Sequence, residues 1–159
     1  TKAIRRKILV DGGVKFKEGL LSEDQEWYYH VLIGANSIIG IDKSYIIYRQ
    51  HKSSTSISWT MKNLTDTIRI IMFWKKEIIR TNLPDGYKNA LLNSIAKLYC
   101  NLLIGYTNTD KKNEYNNLKK LAGLMDYHIN PRVNTFYKVY KVGGFTALMM
   151  VLKIICKLR

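Results

Sequence analysis

The rhythm of apolar and polar positions changes near residue 57. Upstream, apolar runs are short and punctuated by turn signals, with Gly12-Gly13 and Gly19 breaking the opening. Ser22 followed three residues later by Gln25 has the form of a capping box, and Trp27, Tyr28, Val31 and Leu32 continue at helical spacing. That spacing predicts a helix ending near Gly34. Two β-branched and aromatic runs, Ser37-Ile38-Ile39-Gly40-Ile41 and Tyr45-Ile46-Ile47-Tyr48, lie on either side of Asp42-Lys43-Ser44 and predict two short strands.

Downstream the period is helical. Leu64, Ile68, Ile71, Met72, Ile78 and Ile79 predict one face of a helix that ends before the X-Pro step at Pro84. Asp85 is placed to cap a second helix whose face is Tyr87, Leu91, Ile95, Leu98 and Leu102. After a polar link from Thr107 to Asn113, a third helix carries Tyr115, Leu118, Ala122 and Met125, and a fourth runs from Phe136 onward. The expected fold is an α/β piece over 1–56, built from a short helix and two short strands. A helical extension over 57–130 and a basic amphipathic helix over 131–159 follow, making the chain mostly α overall.

Composition narrows the class. The 159 residues suit one domain, or a small domain with an appendage, and 47% apolar residues with two prolines exclude wholesale disorder. Lys plus Arg total 26 against 12 acids, a formal charge of +14 that points to an anionic partner: nucleic acid, a membrane surface or phosphorylated small molecules. Cys100 and Cys156 lie among apolar neighbours, with neither a CxxC pair nor Cys/His metal spacing, and read as free thiols of a cytosolic protein. No run reaches the roughly 18 uninterrupted apolar residues of a membrane span. The opening has no signal-peptide pattern and does not resemble the start of a domain, so the chain is expected to be cut from something longer.

Against that basic background, Ser22-Glu23-Asp24-Gln25-Glu26-Trp27 is an acidic island. Acids in a first helical turn complement the positive end of the macrodipole, worth roughly 0.3–1 kcal/mol each, which is a sufficient structural reason for them. A carboxylate held there also stays ionised, accepts a proton at neutral pH and can be aimed at a substrate hydroxyl. Glu23 and Asp24 project about 100° apart, so one of them at most points at a given substrate atom.

The stretch Lys15-Phe16-Lys17-Glu18-Gly19-Leu20-Leu21-Ser22-Glu23-Asp24-Gln25-Glu26-Trp27 resembles the F-x-E-G, then E-D-x-x-W segment of family 2 glycosyltransferases. These are inverting GT-A enzymes, many of which build bacterial surface polysaccharides. Tyr45-Ile46-Ile47-Tyr48-Arg49-Gln50-His51-Lys52-Ser53-Ser54-Thr55-Ser56-Ile57-Ser58 is similar to the same family's Y-R, short loop, then S-x-S segment, in the family's order and at a fitting separation. The resemblance covers roughly residues 4–58. It implies that the α/β piece is the end of a GT-A domain. It further implies that Asp24 is the general base for the acceptor hydroxyl and that Glu23 orients acceptor or base. Trp27 matches the motif's aromatic, with packing of the helix as its alternative. Arg49 and a serine after it, Ser54 or Ser56, correspond to a segment that closes on the donor diphosphate. A guanidinium suits that task by forking onto two oxygens; the alternative is a solvated strand-end charge. His51 lies where some GT-A enzymes present a metal ligand, with a solvated loop histidine as the alternative.

The same resemblance implies a nucleotide-sugar donor, a saccharide or lipid-linked acceptor, and a divalent ion (Mg or Mn) in the full-length enzyme. No D-x-D triplet, P-loop or GxGxxG occurs in the 159 residues, so the donor-binding half is expected to be absent, with no metal and little turnover in this piece alone.

The tail from Arg132 to Arg159 holds Arg132, Lys138, Lys141, Lys153, Lys157 and Arg159 and no acid. Phe145, Leu148, Met149, Leu152, Ile155 and Cys156 share one helical face, opposite Thr146, Met150, Lys153 and Lys157. A helix lying on an anionic membrane has this pattern, and so does a helix docked on its own domain. Gly143-Gly144 ahead of it suits a hinge. The expected location is the cytoplasm, peripheral at the inner face of the cell membrane. Dispersed Lys and Arg among 11 tyrosines suit nucleic acid in charge alone. No RNP-like aromatic pair, GXXG loop or recognition helix supports that partner. A non-catalytic basic helical module binding membrane, nucleic acid or a protein is the alternative to a transferase.

Overall fold

The computed structural model describes residues 3–43, 46–47, 59–109 and 113–158. Its helices are α1 (Arg6–Asp11), α2 (Glu23–Gly34), α3 (Met61–Arg80), α4 (Asp85–Thr107), α5 (Tyr115–Lys120) and α6 (Pro131–Lys157), with a 3-10 turn over Ala122–Asp126. The chain divides into two compact units, Thr1–Ser58 and Trp59–Arg159.

In the first unit, α1 and α2 pack together, and α2 buries Glu26, Tyr29, Val31 and Leu32. The expected α/β piece is overturned. No strand forms among the described residues, and Ile39 and Ile47 are 84% and 99% exposed. High β-propensity does not make a strand by itself, because a ladder needs a second chain segment to exchange N–H···O=C bonds with. Tyr45 and Tyr48, the aromatic residues of the second predicted strand, lie outside the described residues.

The second unit is built around α4. Its sequence is apolar around most of its circumference, burying Leu91, Leu92, Ile95, Ala96, Tyr99, Cys100, Leu102, Leu103 and Tyr106. A helix of that kind is stable only when covered on several sides. It packs against α3, α6 and the 3-10 turn. The α3 helix starts at Thr60, whose hydroxyl accepts the Asn63 N–H at 3.2 Å, and buries Leu64, Ile68, Ile71, Trp74 and Ile78. Met72 and Ile79, expected on that face, are 54% and 52% exposed. Each lies about 100° around the helix from a buried neighbour, far enough to leave the contact with α4. Asp85 is the first residue of α4 and makes no side-chain cap; the N-cap is Pro84.

The third expected helix divides into α5 and the 3-10 turn, and the Tyr99 hydroxyl secures the junction by donating to the Leu118 carbonyl at 2.6 Å. The last helix begins earlier than Phe136. Pro131 occupies its first turn, and the Asn130 side chain accepts the Arg132 N–H at 3.0 Å. Asn130 is itself tied to α4, its N–H donating to Asn93 Oδ1 at 2.9 Å. Gly144 interrupts α6 with φ 70 and ψ −174, a backbone conformation confined to glycine, so the helix is two helical halves joined at a kink. Close approach explains a second glycine: a Cβ at Gly105 would enter the ring of Trp59.

Candidate functional site

The chain enters α2 through a tight reversal. Gly13, Gly19 and Ser22 all have positive φ, and Ser22, at φ 63 and ψ 35, is the non-glycine case among the described residues. The left-handed conformation replaces the expected capping box: the Ser22 side chain accepts no cap bond, while its carbonyl accepts the Gln25 and Glu26 N–H groups at 3.0 and 3.4 Å. Left-handed backbone costs an L-residue about 1–2 kcal/mol. The turn it makes places two acids immediately after it, at the start of α2.

Glu23 and Asp24 are both exposed in the first turn of α2. Asp24 accepts a hydrogen bond from the Gln25 side chain, Nε2 to Oδ2 at 3.2 Å. One turn further on, Trp27 stacks on Phe16 with ring centroids 5.0 Å apart and planes 19° from parallel. Phe16 remains 57% exposed. Two aromatic residues of the motif, eleven positions apart in sequence, thus form a plate beside an exposed carboxylate. Positions i and i+3 are neighbours on a helix surface, which sets Asp24 and Trp27 side by side. Trp27 itself is half-buried.

Glu26 is the acid the sequence reading did not single out. It is 7% exposed, and His30 Nε2 lies 3.1 Å from its Oε1. The Glu/His spacing of four residues was the available signal. Glu26 is buried and paired within α2, which leaves Glu23 and Asp24 as the helix's exposed carboxylates.

Arg49, His51, Ser54 and Ser56, which the resemblance assigned to the donor segment and the metal, lie outside the described residues. Among the described residues no group of three or more His, Cys, Asp or Glu side chains is arranged to hold a metal ion. The Mg or Mn ion implied by the resemblance has no ligand set among them.

In the second unit, α6 has one buried and one exposed apolar face. Phe145, Leu148, Met149 and Leu152 are buried, docking the helix on its own unit. Ile155, expected on that face, is 46% exposed. With Met150, Val151, Ile154 and Leu158 it forms a second apolar stripe, open to solvent and flanked by Lys153 and Lys157. The helix is long and apolar enough to cross a membrane by length and composition, with a mean hydropathy of 1.6 over an 18-residue window.

No family model, curated protein or solved structure matches the chain.

Proposed function

We propose that the first unit presents the acceptor side of an inverting sugar transfer, the rest of the enzyme being a nucleotide-sugar-binding half. The observation that supports this is the exposed Asp24 carboxylate beside the Phe16–Trp27 plate. A sugar ring has an apolar C–H face and a rim of hydroxyls. An aromatic face takes the first by contact, and an adjacent carboxylate accepts a proton from the second. In the reaction, Asp24 removes the acceptor hydroxyl proton as that oxygen attacks the anomeric carbon. The new C–O bond forms as the bond to the nucleoside diphosphate breaks, and the diphosphate leaves with the electron pair. Glu23, about 100° away on the helix, orients the acceptor rather than sharing the proton.

Joined to its donor half, the protein should transfer sugar from a nucleotide sugar to a saccharide or lipid-linked alcohol. Asp24→Asn should lower kcat by about 10²–10⁴ with the helical circular dichroism unchanged. Trp27→Ala should mainly raise KM for the acceptor. Full activity in Asp24→Asn would overturn the assignment of the base.

The α6 stripe supports a second reading, in which the helical unit rests on the cytoplasmic face of a membrane. Val151, Ile154 and Leu158 are exposed apolar residues beside lysines, as an interfacial helix requires. Their joint replacement by serine should reduce flotation with vesicles of phosphatidylcholine and phosphatidylglycerol without changing the melting temperature. Unchanged flotation would remove the stripe from consideration.

A further inference from the structure

A groove on the helical unit is lined by none of the candidate site residues. It is open, with a cavity volume of about 410 Å³. Met72 and Ile79 of α3 and Leu121 after α5 form its floor, and Lys75, Lys76, Arg80 and Lys120 line it; no acid does. The sequence pattern assigned Met72 and Ile79 to the core, yet both are about half exposed. Their exposure creates the apolar floor.

The cations are not accounted for by internal pairing. Arg80 and Lys120 stand in the last turns of α3 and α5, where positive charge suits the carbonyl ends, and Arg80 Nη1 lies 3.8 Å from Glu77 Oε1. Lys75 and Lys76 sit inside α3 and take part in no ion pair among the described residues. Two lysines at adjacent positions, converging with a third from another helix on an aliphatic floor, repel one another unless an anion lies between them.

The shape of the lining selects among anions. Nucleic acid is held by a basic track with aromatic side chains on which bases stack, and no aromatic residue lines this groove. Small free phosphates need donors and gain nothing from Met72, Ile79 and Leu121. A phospholipid offers both halves, an anionic phosphate for the lysines and the first methylenes of its chains for the floor. We infer that this groove is a headgroup site for an anionic phospholipid. The inference extends the membrane reading of α6 by naming the lipid class and the residues that select it.

The whole chain is tested on vesicles of phosphatidylcholine with and without phosphatidylglycerol. A basic side chain near an anionic surface contributes about fivefold in partitioning, so Lys75→Gln with Lys76→Gln should weaken binding to phosphatidylglycerol vesicles about thirtyfold. Lys88→Gln with Lys97→Gln removes the same charge outside the groove and should change it only a few-fold. Met72→Ser with Ile79→Ser should also weaken vesicle binding while leaving retention on heparin unchanged. None of these positions is buried, so melting temperatures should stay at the parent value. Equal losses for the two lysine pairs, or no effect of the floor pair, would overturn the proposal. So would heparin retention falling with the groove lysines as steeply as vesicle binding, which would make the groove a general polyanion site. If the α6 variants bind normally while the groove lysines lose affinity, the stripe fails and the groove stands. If only the α6 variants lose affinity, the groove fails and the membrane reading stands.

Discussion

At the scale of single residues, the same group takes opposite roles according to what surrounds it. Asp24 and Glu26 are two positions apart on α2, yet Asp24 faces solvent while Glu26 is covered and paired with His30. Cys100 and Cys156 differ in the same way. Burial beside α4's neighbours pushes the Cys100 thiol up from 9.0 to about 12, partly offset by the Arg132 guanidinium. Cys156 is half-buried and accepts a hydrogen bond from the Thr107 hydroxyl at 3.2 Å. Since the thiolate is the nucleophile, iodoacetamide at pH 8 should label Cys156 in the folded chain and Cys100 only after denaturation, as peptide mass mapping would report. Double labelling of the native protein would contradict this. The linkage sign follows from the raised value. Above pH 9 the unfolded chain releases the thiol proton that the folded chain keeps, so stability falls as pH rises towards 12. The buried Tyr99 phenol, also pushed up by burial from 10.0, acts in the same direction at higher pH. Denaturant midpoints measured from pH 8 to pH 11 should therefore decline.

At the scale of elements, period identified helices more reliably than it identified faces. The spacing from Leu64 to Ile78 and from Leu91 to Leu102 is present in α3 and α4, because helical hydrogen bonds close within one segment. Which arc of the helix is covered depends on its neighbours, and so Met72 and Ile79 came out exposed. In α6 the Gly143-Gly144 pair suggested a hinge, and the structure has a kink at Gly144. An alanine there must leave the φ 70, ψ −174 region or bear its strain, so Gly144→Ala should cost about 1–3 kcal/mol. The loss should show as a lower melting temperature, and an unchanged one would mean that the helix straightens without consequence. Ser22 teaches the converse point. Its sequence context is a capping box, but the approach of the chain from Gly19 sets a left-handed backbone that the motif does not describe.

At the scale of the whole molecule, the two units differ in how much they bury. Among the described residues the first has Tyr29, Val31 and Leu32 as its buried apolar side chains, whereas the second has the cluster around α4 together with Leu118, Leu124, Met125 and Phe145. Local stability follows buried contacts, so amides of α2 should exchange with deuterium about a hundredfold or more faster than those in the middle of α4. Equal protection would show that the first unit is stabilised by something other than its own core. The thin core also bears on the missing strands. Isoleucines at 38, 39, 41, 46 and 47 are the residues a sheet would cover, and all are exposed.

The sequence by itself determined the helical segments, the concentration of acid at the start of α2 and the basic balance of the chain, because periodicity, first-turn charge and composition are local quantities. Tertiary structure alone decided that Ile38, Ile39, Ile41, Ile46 and Ile47 stay exposed, that Phe16 reaches Trp27, that Glu26 is withdrawn from solvent, and that α3 and α5 close a cationic groove. Each of those depends on groups distant in sequence meeting in space, and a local pattern carries no information about which of them will meet.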